Sequence, residues 1–206
     1  MDRVMAKKVR TEPGKGVLPD PADWERAHAV SFCWDWRGEN PDPQRETEVR
    51  LLWSRTFLFV RFHCRFRGIY IYEGGGIRRD QLWQRDVAEL FIRREADALR
   101  HYREFEISPN GDWLDLDIKN GEKADLFCAL TSRVTVHPAA RIWTAELALP
   151  WDCMTSAFDP GETWRLNLFR IEGPEPDRFY SAWQPTHTPR PNFHVPERFA
   201  ALLFAE

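Results

Sequence analysis

Four side chains with binding or catalytic chemistry lie close together at the start of one predicted strand. Residues 80–92 read "DQLWQRDVAELFI" and contain Asp80, Trp83, Asp86 and Glu89. A tryptophan ring offers a flat apolar platform, and a carboxylate accepts hydrogen bonds from hydroxyl groups. That combination suits a sugar ring, which has apolar C–H faces and polar edges. If the chain turns after Trp83, then Trp83 and Glu89 can serve one pocket.

The same carboxylates also have metal-binding chemistry. Asp80, Asp86 and Glu89 carry the oxygen ligands that calcium prefers, so a structural calcium ion is an alternative, although their spacing is not that of an EF-hand loop. His187 and His194 flank a proline-rich segment and have no third ligand near them in the sequence. We therefore predict no metal and no cofactor.

Paired carboxylates further along the chain suggest acid–base catalysis as another chemistry. Glu104 and Glu106 share one face of a strand, since residues two positions apart lie about 6.5–7 Å from each other on the same side. A glycosidase needs two carboxyl groups about 5–10 Å apart across a cleft. The chain has no GxSxG motif, paired catalytic Cys and His or HExxH motif. We predict binding without catalysis.

Strands must position these residues, because apolar and polar side chains alternate with a period of two along most of the chain. The alternating segments are 57–67, 112–119, 141–150, 164–173, 178–183 and the closing "ALLFAE". Asn110-Gly111 predicts a hairpin turn. The pattern indicates an all-β fold, an antiparallel β-sandwich of the jelly-roll type, with a short helix near 121–128 or 151–157.

Composition narrows the class of protein. The 206 residues are 43% hydrophobic and 30% charged with a net charge of −3, which favours neither a nucleic-acid nor a membrane partner. Ten tryptophans are more than a core of this size usually holds, so some are expected to face a ligand. We predict one domain at 20–206 after an N-terminal extension at 1–19.

The N-terminus and the cysteines bear on location. The first residues are basic but lack the apolar segment of a signal peptide, which predicts a cytoplasmic protein, or an exported one if the start is incomplete. The four cysteines are widely spaced without a CxxC pair, and in the cytoplasm we expect them to be reduced and mostly buried. They are Cys33, Cys64, Cys128 and Cys153.

Six segments in order carry a resemblance to a known family. They are "LWQRDVAELFI" (82–92), "YREFEISPNGDWLD" (102–115), "WTAELALPW" (143–151), "GETWRLNLFRIEG" (161–173), "SAWQPT" (181–186) and "NFHVPERFAALLF" (192–204). Together they resemble a carbohydrate-binding module of family 9, or the related family 9-like proteins, over roughly residues 20–206. The resemblance implies a DOMON-like β-sandwich, a mono- or oligosaccharide partner, and non-catalytic binding in which two aromatic rings sandwich a terminal sugar.

The resemblance also implies roles for individual residues. By position, Trp83 matches the first aromatic platform and Glu89 matches the glutamate that binds sugar hydroxyls. Arg103 matches the binding arginine, but it has the strand parity of a core-facing residue. If the match is off by one position, Glu104 is the polar contact instead.

The second half of the implied site departs from the family pattern. Phe193 stands where the family has its second platform, a tryptophan, and Arg190 stands where the family has an amide. Asn167 and Trp183 also match the pattern, either as pocket residues or as residues that hold the fold. The latter role is expected of the other matching positions, which are Asp86, Trp143, Glu146, Trp164 and Arg170.

Two other functions stay open at this point. Some DOMON-like domains bind haem for electron transfer, which requires axial His or Met ligands; here Met154 with His63, His101 or His137 would have to supply them. The other alternative is a glycan-processing enzyme that uses the Glu104 and Glu106 pair.

Overall fold

A computed structural model describes residues 3–206, which form thirteen strands and one short α-helix. The strands are β1 (Arg3–Lys8), β2 (Ala29–Phe32), β3 (Thr47–Trp53), β4 (Phe57–Arg65), β5 (Val87–Arg94), β6 (His101–Ile107), β7 (Trp113–Lys119), β8 (Glu122–Asp125), β9 (Thr131–His137), β10 (Ile142–Pro150), β11 (Trp164–Glu172), β12 (Phe179–Ala182) and β13 (Ala200–Ala205). The helix is α1 (Pro21–Arg26). Single 3-10 turns lie at Pro43–Arg45, Leu82–Gln84, Pro138–Ala140, Trp151–Cys153 and Pro196–Arg198.

The strands form one continuous curled sheet. Their order is β8-β7-β6-β5-β11-β13-β1-β3-β4-β10-β9, with β12 added to β11 and β2 added to β3. All neighbours are antiparallel except β1, which runs parallel to both β13 and β3. The predicted all-β sandwich is confirmed. The sheet also includes Arg3–Lys8, which lie within the predicted N-terminal extension.

The main core fills the space between two halves of this sheet. One half contributes Val49, Val60 and Phe62 from β3 and β4, and the other contributes Leu90 and Phe105 from β5 and β6. Trp143 and Trp164 are also fully buried in this core, as expected for residues that hold the fold. A helix near 121–128 or 151–157 is wrong, because β8 occupies the first segment and the second contains only a 3-10 turn.

A second, smaller apolar cluster covers the other face of β5, β6, β7, β11 and β12. Since side chains alternate along a strand, β5 sends Ala88, Leu90 and Ile92 into the main core and sends Glu89 and Phe91 to the second face. The second face is closed by residues 82–83 on one side and by the segment 191–199 on the other. The candidate site lies here.

The predicted hairpin forms, and the N-terminus of α1 is capped by a side chain. Gly111 adopts φ +84 between β6 and β7, the left-handed conformation for which the Asn110-Gly111 pair was expected. Asp20 caps α1 by accepting a hydrogen bond from the Ala22 amide. No helix among residues 3–206 is long and apolar enough to cross a membrane.

The cysteines differ from the prediction that all four are reduced. Cys128 and Cys153 form a disulfide that joins the segment after β8 to the turn after β10, whereas Cys33 and Cys64 are free. The pairing was not visible in the sequence because the two residues approach each other only through the curl of the sheet. The bond closes a loop of 25 residues.

We predict that the Cys128→Ser, Cys153→Ser double variant loses about 3 kcal/mol of unfolding free energy. The disulfide restricts the unfolded chain, and opening a loop of this length returns about that much conformational entropy, as free energy, to the unfolded state. Urea denaturation followed by circular dichroism measures the change. Cys33→Ser, at a half-buried free thiol, is the control and should leave the midpoint within about 0.5 kcal/mol of wild type. Equal stabilities of the double variant and the control would contradict the prediction.

A candidate carbohydrate site on the second face of the sheet

Trp83 lies in a rigid turn directly before β5. It sits in the 3-10 turn Leu82–Gln84, which Gln81 enters with a left-handed φ of 55. The Arg178 guanidinium donates hydrogen bonds to the carbonyls of Trp83, Gln84 and Arg85 from the strand side. These bonds fix the turn, so the half-buried indole is held in place before any ligand arrives.

Asp86 anchors the junction between this turn and the strand. Its carboxylate is fully buried and accepts hydrogen bonds from the backbone amides of Tyr70 at 2.9 Å and Gly173 at 2.7 Å. These bonds join three separate segments of the chain. This geometry agrees with the structural role that the sequence suggested for Asp86.

A cavity of about 170 Å³ opens beside Trp83. Its walls combine aromatic rings, carboxyl groups and one lysine. The lining residues are Trp83, Glu89, Phe91, Glu104, Lys123, Ile171, Tyr180, Pro191, Asn192, Phe193 and His194. Four of the residues predicted for sugar binding are therefore brought together: Trp83, Glu89, Glu104 and Phe193.

Phe193 forms another part of the cavity wall. Its ring stacks on Phe169 with centroids 4.2 Å apart, and Tyr180 contacts it edge-on at 6.3 Å. One face of the Phe193 ring is thus covered by protein, and the residue is only 8% exposed. Beside it, the His194 ring packs on Phe91 and shares a hydrogen bond of 2.9 Å with the Tyr102 hydroxyl.

Two glutamates, Glu89 and Glu104, line the cavity, and a third, Glu106, is their neighbour on the same face of the sheet. Glu89 on β5 stands directly opposite Glu106 on β6, and Glu104 lies two residues from Glu106 on the same face. Their exposed fractions are 2%, 1% and 2% for Glu89, Glu106 and Glu104. Four of their oxygens, Oε1 of Glu89, Oε2 of Glu104 and both of Glu106, accept no hydrogen bond from residues 3–206.

Burial and mutual repulsion change how these groups hold protons. Burial raises the pKa of Glu89 and of Glu106 well above the ordinary glutamate value, and the neighbouring carboxyls raise both further. Burial also raises the pKa of Glu104, although its contact with Glu106 and the charge of Lys123 act against that shift. The cluster therefore retains protons at a pH where exposed glutamates are ionised.

Lys123 is the cation nearest the cluster. Its ammonium lies 3.9 Å from Oε2 of Glu104 and 4.4 Å from the centroid of the Trp83 ring. The register of β8 with β7 places Lys123 opposite Ile118 on the second face of the sheet. Its side chain remains 36% exposed, so the ammonium stands at the mouth of the cavity.

The other predicted site residues lie outside the cavity. Arg103 is on the opposite face of β6, where it faces Asp117 at 3.3 Å. Asn167 is fully buried and bonds the backbone of Leu168 and Gln184, and Trp183 packs in the main core. Arg190 is exposed on the loop after β12, and its carbonyl accepts a hydrogen bond from Thr188.

Sequence reasoning missed Lys123 and His194 as cavity residues. The period-two pattern puts Glu104 and Glu106 on one face, but Lys123 lies in the segment predicted as a possible helix, and a helix gives no register with β7. His194 follows Phe193 in a loop, where no periodicity indicates the direction of a side chain. No pattern in a single sequence indicates that either side chain faces the cavity.

The residues considered for metal or haem binding lie in different parts of the structure and contact different partners. No group of three or more His, Cys, Asp or Glu side chains between residues 3 and 206 is arranged to hold a metal ion. Met154 is buried in the main core, His63 on β4 contacts Thr144, and His101 on β6 contacts Asp117.

Comparisons with known proteins define the class of fold. A proposed carbohydrate-binding protein from Bacteroides uniformis superposes with a TM-score of 0.77 at 17% identity, over 98% of both chains. A family 9 carbohydrate-binding module from Caldicellulosiruptor kristjanssonii in complex with cellotriose has a TM-score of 0.69 at 12% identity, covering 99% of this chain and 94% of its own. The same organism's module in complex with glucose gives 0.65 at 13% identity, covering 98% and 95%.

The chain therefore has the fold of family 9 carbohydrate-binding modules, which confirms the resemblance seen in its motifs. In sequence, it is similar to an extracellular protein of Arthroderma benhamiae, 24% identical over 219 aligned positions that cover 95% of this chain and 96% of the fungal one. No protein-family model matches. The fungal relative gives no support to the predicted cytoplasmic location.

The glutamate cluster predicts how stability changes with pH. Because the folded pKa of Glu106 is raised, the folded state holds a proton that the unfolded chain releases above about pH 4.3. The free energy of unfolding therefore falls as pH rises above that value, by up to about 1.4 kcal/mol per pH unit for each such group. We expect Glu106→Gln to make this fall shallower than in wild type.

Urea denaturation at pH 5, 6, 7 and 8 measures the slope. Glu122→Gln changes an exposed glutamate on β8 and serves as the matched control, which should follow the wild-type curve. If the Glu106→Gln curve runs parallel to wild type throughout, Glu106 does not hold the extra proton.

Proposed function

We propose that this protein binds the terminal unit of a carbohydrate in the cavity beside Trp83, without cleaving it. The sugar ring lies against the indole, and its hydroxyls donate hydrogen bonds to the Glu89 and Glu104 carboxyls. The observation that carries the proposal is an indole held at the mouth of a cavity whose floor consists of buried carboxyls with unused acceptor oxygens.

The chemistry of the walls supports a sugar over other small ligands. A pyranose presents C–H groups to an aromatic face and hydroxyl donors at its rim. The cavity offers rings on two sides and acceptors on the floor. Its volume of about 170 Å³ is below the roughly 300–1,000 Å³ of pockets for drug-sized ligands, which favours one sugar ring at a chain end. The solved neighbours with glucose and cellotriose are consistent with that size.

The arrangement of the acids supports binding over hydrolysis. Glu104 and Glu106 project from the same face of one strand, and only Glu104 lines the cavity. Glycosidase carboxyls stand about 5–10 Å apart on opposite sides of a cleft, with the glycosidic bond between them. The position of this pair on one strand supports binding over hydrolysis.

We also propose that the chain functions in an oxidising, extracellular setting. The disulfide between Cys128 and Cys153 would be stable there and is uncommon in the reducing cytoplasm. The extracellular relative points in the same direction.

Removal of the Trp83 ring tests the proposal. We expect Trp83→Ala to weaken binding of glucose or cellotriose at least ten-fold, or about 1.4 kcal/mol, since the stacking face is lost. Isothermal titration calorimetry against monosaccharides and cello-oligosaccharides gives the dissociation constants. Trp113→Ala is the matched control, because Trp113 is another half-buried tryptophan of the same sheet whose ring packs towards the main core.

Thermal unfolding of both variants shows whether they are folded at the titration temperature. Equal loss of affinity in Trp113→Ala and Trp83→Ala would contradict a specific role for the Trp83 face. If the wild type binds no member of a broad glycan panel, the proposed function is wrong.

A further inference from the structure

The ammonium group of Lys123 lies at the cavity, beside Trp83 and Glu104. Lys123 extends from the edge strand β8 and places its Nζ over the Trp83 ring and beside Glu104, at 4.4 Å and 3.9 Å. An aromatic face next to a carboxylate is a recognised environment for an ammonium ion, which gains from both the ring quadrupole and the negative charge. The same ammonium covers the face on which a sugar ring would stack.

Lys123 satisfies only part of the acidic cluster. Three glutamates, each at least 98% buried, lie near one ammonium, and Oε1 of Glu89, a residue of the cavity lining, is buried without a hydrogen-bond donor among residues 3–206. A buried carboxylate is costly unless a cation or several donors satisfy it. The hydroxyls of a neutral sugar supply donors but no charge.

The remaining charged groups around the cavity have other partners. Arg178 donates to the carbonyls of residues 83–85, and Asp125, which shares the face of Lys123, is paired with Arg78. Burial against Phe91 and Tyr102, together with Lys123, lowers the pKa of the His194 ring to about 4, so it is neutral at pH 6–8 although the residue keeps an exposed edge. A ligand ammonium placed here would favour the ionised forms of Glu89 and Glu104, whose pKa values are raised by burial.

We propose that the preferred ligand is a sugar that carries a free, protonated amine, such as a terminal glucosamine unit. This rests on the proposed function. The sugar ring displaces the Lys123 ammonium from the Trp83 face, and the sugar's own ammonium donates to the carboxyls of Glu89 and Glu104. Glu106 lies beside them and does not touch the ligand.

Matched sugars separate charge from shape. Glucosamine, glucose and N-acetylglucosamine share one ring. Only glucosamine is cationic at about pH 6, because that pH lies below the roughly 7.7–8.0 at which an α-amino group loses its proton. Titration calorimetry of the wild type at that pH and low salt should show glucosamine binding about ten-fold tighter than glucose or N-acetylglucosamine. A ten-fold difference in affinity corresponds to the free energy of one charge-assisted hydrogen bond. The preference should shrink as salt is added.

Two variants test the assigned positions. Lys123→Gln removes the competing ammonium and should tighten glucosamine binding several-fold, and more than it changes glucose binding. Glu104→Gln removes a carboxyl proposed to accept from the ligand ammonium and should reduce the ratio of glucosamine to glucose affinity, whereas the exposed control Glu122→Gln should leave that ratio at its wild-type value.

The outcomes distinguish the two proposals. Equal affinity for glucose and glucosamine overturns the amine preference and leaves carbohydrate binding intact. If Lys123→Gln weakens all three sugars equally, Lys123 is a ligand contact and the displacement is wrong. Absence of binding to every sugar overturns both this inference and the function on which it rests.

Discussion

Strand β5 is buried on both faces, and the site depends on this constraint. Its even-numbered side chains from Ala88 to Ile92 lie in the main core, and its odd-numbered ones face the second cluster. A side chain on that second face has lost most of its water before any ligand binds. Glu89 therefore stands in a low-dielectric setting, where its interactions with a donor are stronger than at an exposed surface and where lack of a donor is costly.

The neighbouring strands turn this one carboxyl into a cluster. Antiparallel pairing puts Glu106 directly opposite Glu89, and the period of two brings Glu104 onto the same face. A one-residue shift in the pairing of β6 with β5 would have turned these acids towards the main core, away from the cavity. The fold thus determines that three acids lie together on one face, and the charges around the cavity determine which ligands it can accept.

Much of the strand arrangement around the site could be predicted from the sequence, because alternation of apolar and polar residues is a local signal. Alternation gave the strands around Glu89 and Glu104, and the Asn110-Gly111 turn gave the β6–β7 hairpin, because both signals are local. Strand parity also indicated that Arg103 faces away from Glu104, as the structure places them. The parts that stayed out of reach depend on contacts between distant segments: the Cys128–Cys153 bond, and Lys123 above Trp83.

The two walls of the cavity are held in different ways, and this bears on specificity. Trp83 and Glu89 are fixed by the β5 ladder, by Arg178 and by Asp86, so this wall is preorganised. Phe193 lies in a loop segment and depends on its stack with Phe169 and on the contact of its neighbour His194 with Tyr102. On that second, less constrained wall stands Phe193, at the position where the resemblance implies a tryptophan. The smaller ring is covered on one face by Phe169, so it closes the cavity more than it offers a second platform. Under the proposed function, recognition falls mainly to the fixed wall, where one aromatic face, buried carboxyls and the Lys123 ammonium meet.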